Sequence, residues 1–259
     1  MRIVVVGGTG LIGSKVVTYL KGDGHEVVPA ARSLGIDTIT GQGLAEALDG
    51  ASVVVDVSNS PTLAYPTARD FFETSTANLL AAETAADVRH HVVLSIVGTR
   101  HVSESADLLS TNAGYFRAKL IQEELIRASS IPFTIVQATQ FFEFMKTIID
   151  GATDEGTVRL PPALFQPIAA ADAAGAVARA AVAAPWNGIV EVGGPETIRF
   201  EDAVRRFLRA ERDPREVITD PDVAYFGIAV HERTLVPGTT ASRGAIRLDD
   251  WLRESLITA

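Results

Sequence analysis

The stretch Arg2-Ile3-Val4-Val5-Val6-Gly7-Gly8-Thr9-Gly10-Leu11-Ile12-Gly13 decides the fold. Its β-branched run from Ile3 to Val6 reads as a strand buried on both faces. Glycines at 7, 10 and 13 follow, and Ile12, Val16 and Leu20 then recur at spacings of four, which marks one apolar face of a helix. Strand, glycine turn and helix in this order make a phosphate cradle. One glycine permits the tight turn, one lets the backbone approach a pyrophosphate, and one lets the helix pack on the strand. Free amides and the positive end of the helix dipole then hold the phosphates. Gly7, Thr9, Gly10, Leu11, Ile12 and Gly13 are therefore the expected dinucleotide contacts. A tight turn without a ligand would use the same residues, but three glycines in register with the helix favour the dinucleotide.

Working outward, β-branched runs alternate with segments of helical period, the pattern of a parallel sheet covered on both faces. Strands are expected at Arg2 to Val6, Glu26 to Ala30, Ile36 to Ile39, Ser52 to Asp56, His91 to Val97, Phe133 to Gln137 and Ile189 to Val192. Helices are expected from Gly10 to Gly22 or Gly24, from Ala68 to Ala86 and from Gly114 to Ser129. Beyond Gln137 the text changes: Phe141, Phe142, Phe144 and Met145 crowd together, Pro161-Pro162 follows, and Pro and Gly breaks recur. The fold class expected is α/β, a Rossmann-type doubly wound parallel sheet with a small C-terminal substrate-binding lobe. Residues 1–138, completed by about 163–192, form the dinucleotide-binding core, and 139–162 with 193–259 form the lobe.

Composition narrows the function. With 23 Lys plus Arg against 32 Asp plus Glu, the net charge is -9, which repels nucleic acid. There are no cysteines, which excludes disulfides, thiolate metal sites and cysteine nucleophiles. Histidines at 25, 90, 91, 101 and 231 lack helical metal-ligand spacing, so no metal is expected. The first apolar run is too short for a signal-peptide core, and Ile168 to Ala184 is interrupted by Asp172 and Arg179. No membrane partner and a cytoplasmic location are expected. Monomer and homodimer both stay open.

The second expected strand ends in Ala30-Ala31-Arg32-Ser33, where an acidic residue would favour NAD and a cation the extra phosphate of NADP. Arg32 can fork onto a phosphate and no carboxylate competes, so NADP is expected over NAD, although a solvated surface arginine reads the same. Asp37 is placed near the adenine edge, or is a turn-forming carboxylate. Asp56-Val57-Ser58-Asn59-Ser60 ends another strand, where Ser58 and Asn59 are expected to touch the cofactor or to cap the next helix.

Tyr115 and Lys119, in Tyr-Phe-Arg-Ala-Lys, lie four apart on an expected helix and so share a face. A phenol, with a reference pKa near ~10, needs a neighbouring ammonium to work as an acid–base group at neutrality. Glycine turn and Tyr-x-x-x-Lys together resemble the short-chain dehydrogenase/reductase superfamily over the whole chain. Tyr115-Phe-Arg-Ala-Lys119, Ala138-Thr139-Gln140-Phe141-Phe142 and the Asp172-Ala173 helix start look like its atypical, NmrA-like NAD(P)H-binding branch. The resemblance implies that Tyr115 donates the proton, while Lys119 bonds the nicotinamide ribose and tunes the phenol. Ser95, near the end of the preceding strand, is the candidate for polarising a substrate carbonyl, or a buried serine bonded to backbone. Relatives carry a run of serines or threonines at this edge, whereas Ile96, Val97 and Gly98 follow here. Thr139, Phe141 and Phe142 are expected to line an apolar substrate pocket, or a core between the lobes. The function expected is an NADP-dependent oxidoreductase moving a hydride to a small apolar carbonyl, quinone or related acceptor. An NADP(H)-sensing regulatory protein and an NAD(P)-dependent epimerase or dehydratase are the alternatives.

Overall fold

The computed structural model describes residues 1–100 and 113–258. His101 lies outside the described residues.

The order along the chain is β1 (Arg2–Val6), α1 (Leu11–Gly22), β2 (Glu26–Ala30), α2 (Leu44–Leu48), β3 (Val53–Asp56), α3 (Thr67–Ala85), β4 (His90–Ile96), α4 (Ala113–Ala128) and β5 (Phe133–Ala138). Then come α5 (Met145–Gly151), α6 (Ala170–Val182), β6 (Gly188–Gly193), α7 (Phe200–Glu211), β7 (Ser242–Arg243) and α8 (Leu248–Thr258). The seven strands form one sheet in the order β7-β6-β5-β4-β3-β1-β2. Every pairing in it is parallel. Parallel strands need crossovers on the sheet faces, and successive residues of each strand serve opposite faces. Ile3, Val5, Val55 and Val92 meet Ile12 and Val16 of α1 and Ala173, Ala174 and Val177 of α6. Val4, Val6 and Val54 meet Leu79 of α3 on the other face, and Val93 and Ile135 meet Ile126 of α4. This two-sided burial is why the strands read as unbroken valine runs.

Seven strands were expected and the main sheet has seven, but one differs, and among the described residues five further short strands, at Thr153–Asp154, Thr157–Leu160, Leu164–Phe165, Ile198–Arg199 and Glu216–Thr219, pair outside it. The segment Ile36 to Ile39 is a turn, not a strand. Gly35 and Gly41 sit at φ +79° on either side, and the Asp37 carboxylate accepts the Ile39 amide at 2.8 Å. A side chain that captures its own backbone in this way competes with strand pairing. The seventh strand is instead β7, a two-residue edge running beside β6, too short to show in sequence.

A second core gathers beyond β5. α7 presents Phe200, Ala203, Val204, Phe207 and Leu208, spaced as one helical stripe. They pack with Phe142, Met145, Ile148, Phe165 and Leu252, and with Phe116 from α4. Phe165 and Phe200 stack at 4.4 Å between centroids. No helix among the described residues is long and apolar enough to cross a membrane.

Candidate active site

A cleft of about 680 Å³ opens over the C-terminal ends of β1 to β5, where ligands of open α/β sheets bind. Its floor is the glycine turn. Gly7 has φ +78°, in the left-handed region that favours glycine, and a Cβ there would lie 2.8 Å from the Val57 carbonyl oxygen. A Cβ on Gly13 would lie 2.1 Å from the Gly7 carbonyl oxygen, so this glycine serves helix-to-strand packing. Gly10 differs: a Cβ would meet only the Gly7 oxygen, at 3.3 Å, and would otherwise stand in the cleft. It precedes α1 without any side-chain cap, which leaves first-turn amides open to a phosphate. Gly8, absent from the expected set, is also structural, because its Cβ would press on Val5 and Pro29.

Thr9, Leu11 and Ile12 line the same floor. At the β2 end, Arg32 and Asp37 border the cleft, joined by Ser33. Arg32 is exposed and has no ion-pair partner among the described residues. Asp37 spends one oxygen on the turn described above. Ser58 and Asn59 line the middle, and the Ser58 hydroxyl is buried without a hydrogen-bond partner among the described residues, which suits a ligand contact. The glycine turn, open amides and orphaned hydroxyl together fit a dinucleotide.

α4 brings Tyr115 and Lys119 to the cleft on one face. The half-buried Tyr115 hydroxyl donates to Asn59 Oδ1 at 2.7 Å, and the ring packs edge-on against Phe72 at 5.9 Å. Burial pushes the Tyr115 phenol well above its ordinary pKa. The Lys119 ammonium does not bond the phenol. It is 3% exposed, donates to the Leu94 carbonyl at 2.7 Å and to Gln122 Oε1, and lies 4.6 Å from the centroid of the Phe72 ring. Burial pushes Lys119 down to about 8, against the pull of the Asp56 and Glu123 carboxylates.

Ser95 borders the cleft, but its one proton is donated to Glu123 Oε1 at 2.6 Å. Gln137 donates to the same oxygen at 2.8 Å. With that proton engaged, Ser95 belongs to a buried polar layer under α4 and does not aim a donor at a substrate. Glu123 and Gln122 of α4 are buried, and as polar residues of a helix they gave no sequence signal of it.

The substrate end needs one correction. Thr139 and Phe141 line the cleft, although the Thr139 hydroxyl is held by the Gln166 carbonyl at 2.6 Å. Phe142 does not. It is 1% exposed in the second core, with Trp251 at 5.6 Å. After β5 the chain makes a 3₁₀ turn over Phe142–Phe144, and three residues per turn put Phe141 and Phe144 on the cleft side and Phe142 behind them. Phe71, Phe116, Tyr225 and Phe226 complete the aromatic wall. The last two come from an irregular loop with no periodicity to reveal them. Among the described residues, no group of three or more His, Cys, Asp or Glu could hold a metal ion.

Comparison with known proteins agrees with this geometry. Residues 7–184 match the NAD(P)H-binding family. The mouse epimerase family protein SDR39U1 is 33% identical over 124 residues, which cover 48% of this chain and 41% of that protein, so less than half of the relative is matched. A short-chain dehydrogenase/reductase superfamily protein from Agrobacterium tumefaciens, solved with bound NAD, superposes at TM-score 0.72 and 18% identity over 99% of this chain and 96% of that one. A dTDP-4-dehydrorhamnose reductase from Clostridium acetobutylicum superposes at TM-score 0.69 and 16% identity over the full length of both chains. The family match spans more than half of the sequence: the chain belongs to the NAD(P)H-binding family, and it shares its fold with the short-chain dehydrogenase/reductase protein above.

Proposed function

We propose that the protein is an NADPH-dependent reductase of small, uncharged, apolar carbonyl compounds or quinones. The observation that carries this reading is the chemistry of the cleft wall. Beyond Tyr115 it is built from Leu63, Phe71, Ile96, Phe116, Phe141, Phe144, Tyr225 and Phe226, and among the described lining residues Arg32 and Lys119 are the only Lys or Arg. Arg32 lies at the β2 end, and Lys119 is spent on Leu94 and Gln122. Residues 101–112 contain no Lys or Arg either. A sugar nucleotide, such as the name of the Clostridium reductase implies, brings a diphosphate that needs cations or converging amides in the substrate half. An aromatic wall without them suits a flat, neutral acceptor.

Bound NADPH supplies the hydride, and the chain supplies the rest. Tyr115 stands between the glycine turn and the aromatic wall. The Tyr115 O–H would deliver a proton to the carbonyl oxygen of the acceptor as negative charge develops there. A phenol kept protonated by burial suits this role. Lys119, on the same helix face, would supply a positive charge to the nicotinamide ribose side of the cleft.

The β2 end sets the cofactor preference in this reading, with the exposed Arg32 taking the 2′-phosphate and Ser33 beside it. Charge-assisted hydrogen bonds are worth about 1.5–3 kcal/mol. Arg32→Ala should therefore lower the NADPH-over-NADH affinity ratio roughly 10- to 100-fold. Fluorescence titration with both cofactors measures it. An unchanged ratio, or tighter NADH binding by the parent, would remove Arg32 from the reading.

A further inference from the structure

Between the sheet and α4 runs a chain of hydrogen bonds that links the two halves of the Tyr–Lys pair by a route other than the helix carrying both. Asp56, the last residue of β3, is 2% exposed. Its Oδ2 accepts from Gln122 Nε2 at 2.9 Å, and Gln122 Oε1 accepts from the Lys119 ammonium. Its Oδ1 accepts from the backbone N–H of Ser58 at 2.9 Å, next to Asn59, whose side chain accepts from the Tyr115 hydroxyl at 2.7 Å. Both carboxylate oxygens are thus used, one toward each member of the pair.

We infer that Asp56 is a positioning residue, acting through Gln122 to hold the Lys119 ammonium charged and in place, and through the Ser58 amide to hold the Asn59 side chain that orients Tyr115. The inference rests on the reading of Tyr115 and Lys119 as the reacting pair. A buried ammonium persists only with a counter-charge and a full set of acceptors. Leu94 on β4 and Gln122 on α4 supply the acceptors, and the face of Phe72 on α3 adds a cation–π contact. Asp56 on β3 and Glu123 on α4 supply negative charge. Glu123 already takes two donors, from Ser95 and Gln137, whereas Asp56 reaches the ammonium through one amide. Farther along the same layer, the buried His91 on β4 is bonded to Glu83 on α3 at 2.8 Å, and both feel the Asp56 charge. The Lys119 pKa of about 8 leaves the charge balance sensitive to any loss of that carboxylate.

Asp56→Asn is nearly isosteric and removes only the charge and one acceptor quality, so it should fold. Removing an opposite charge at this range shifts a pKa by about 1 to 3 units. In the cofactor-free protein with biosynthetically ¹³C-labelled lysine, NMR titration of the Lys119 Cε signal, assigned by its loss in Lys119→Arg, should place its midpoint near 8 in the parent and at least about one unit lower in Asp56→Asn. Gln122→Met, which cuts the bridge but keeps the carboxylate, should shift it in the same direction by less. The alkaline limb of the single-turnover rate against pH should move with the titration. A parental titration curve in folded Asp56→Asn overturns the inference whatever the rate does. A shifted titration beside an unshifted rate profile leaves Asp56 as the counter-charge of Lys119 and overturns instead the reading that Lys119 serves the reaction.

Discussion

Tyr115→Phe should cut the rate of hydride transfer to an unactivated ketone by about 10²- to 10⁴-fold while leaving NADPH affinity nearly unchanged, because general acid catalysis is typically worth that much. The substitution deletes one hydroxyl and keeps the ring, with its edge-on packing on Phe72 and Phe116. Asn59 loses the donor at 2.7 Å but faces a cleft that admits water. A quinone should feel the loss less, since hydride addition there leaves a stabilised oxyanion that asks little of a proton donor. Lys119→Met should harm both rate and affinity, because it removes a buried charge on which Gln122 and the Leu94 carbonyl depend. Single-turnover kinetics and cofactor titration on the two variants separate these effects. A Tyr115→Phe protein that reduces a simple ketone at the parental rate would take the phenol out of the chemistry.

Gly10→Val should abolish cofactor binding in a protein that still folds. Gly10 has φ -81° and ψ -179°, extended backbone open to any residue, and its Cβ would meet nothing closer than the Gly7 oxygen at 3.3 Å. The branched side chain would instead stand where a pyrophosphate must approach. Losing the helix-terminus contacts should weaken NADPH at least about 100-fold, or about 2.7 kcal/mol. The cost to stability should be about 1 kcal/mol, since valine is a poorer helix cap than glycine. Gly13→Ala makes the opposite case. Its Cβ would stand 2.1 Å from a backbone oxygen, so strand and helix must separate, with about 1–3 kcal/mol or more of lost stability. Thermal melts beside isothermal titration test the pair. Near-parental affinity in folded Gly10→Val would show that the phosphates rest elsewhere.

Buried valine runs carried most of the fold in plain view, because a strand covered on both faces must be apolar throughout. The failure at Ile36 to Ile39 came from reading β-branched residues without weighing Gly35, Gly41 and the Asp37 side chain, which together make a turn. β7 stayed hidden because two residues have no period. The glycine turn and the Tyr115–Lys119 face follow from local spacing, and the structure brings them to one cleft. What sequence could not show was direction. Whether Ser95 faces a substrate or Glu123, whether Phe142 or Phe144 turns toward the cleft, and whether Lys119 reaches its tyrosine or Gln122 are matters of rotation and tertiary partners.

The central claim is that a nicotinamide site on the glycine turn serves an uncharged, apolar acceptor held against the aromatic wall. The most direct measurement loads the protein with NADPH, mixes it rapidly with aromatic ketones, quinones and a dTDP-keto-sugar, and follows the near-ultraviolet absorbance of the reduced nicotinamide. Decay with a ketone or quinone, slowed in Tyr115→Phe for the ketone, and no decay with the keto-sugar is the result expected. Decay with the keto-sugar alone, or with none of the acceptors despite tight NADPH binding, would contradict it.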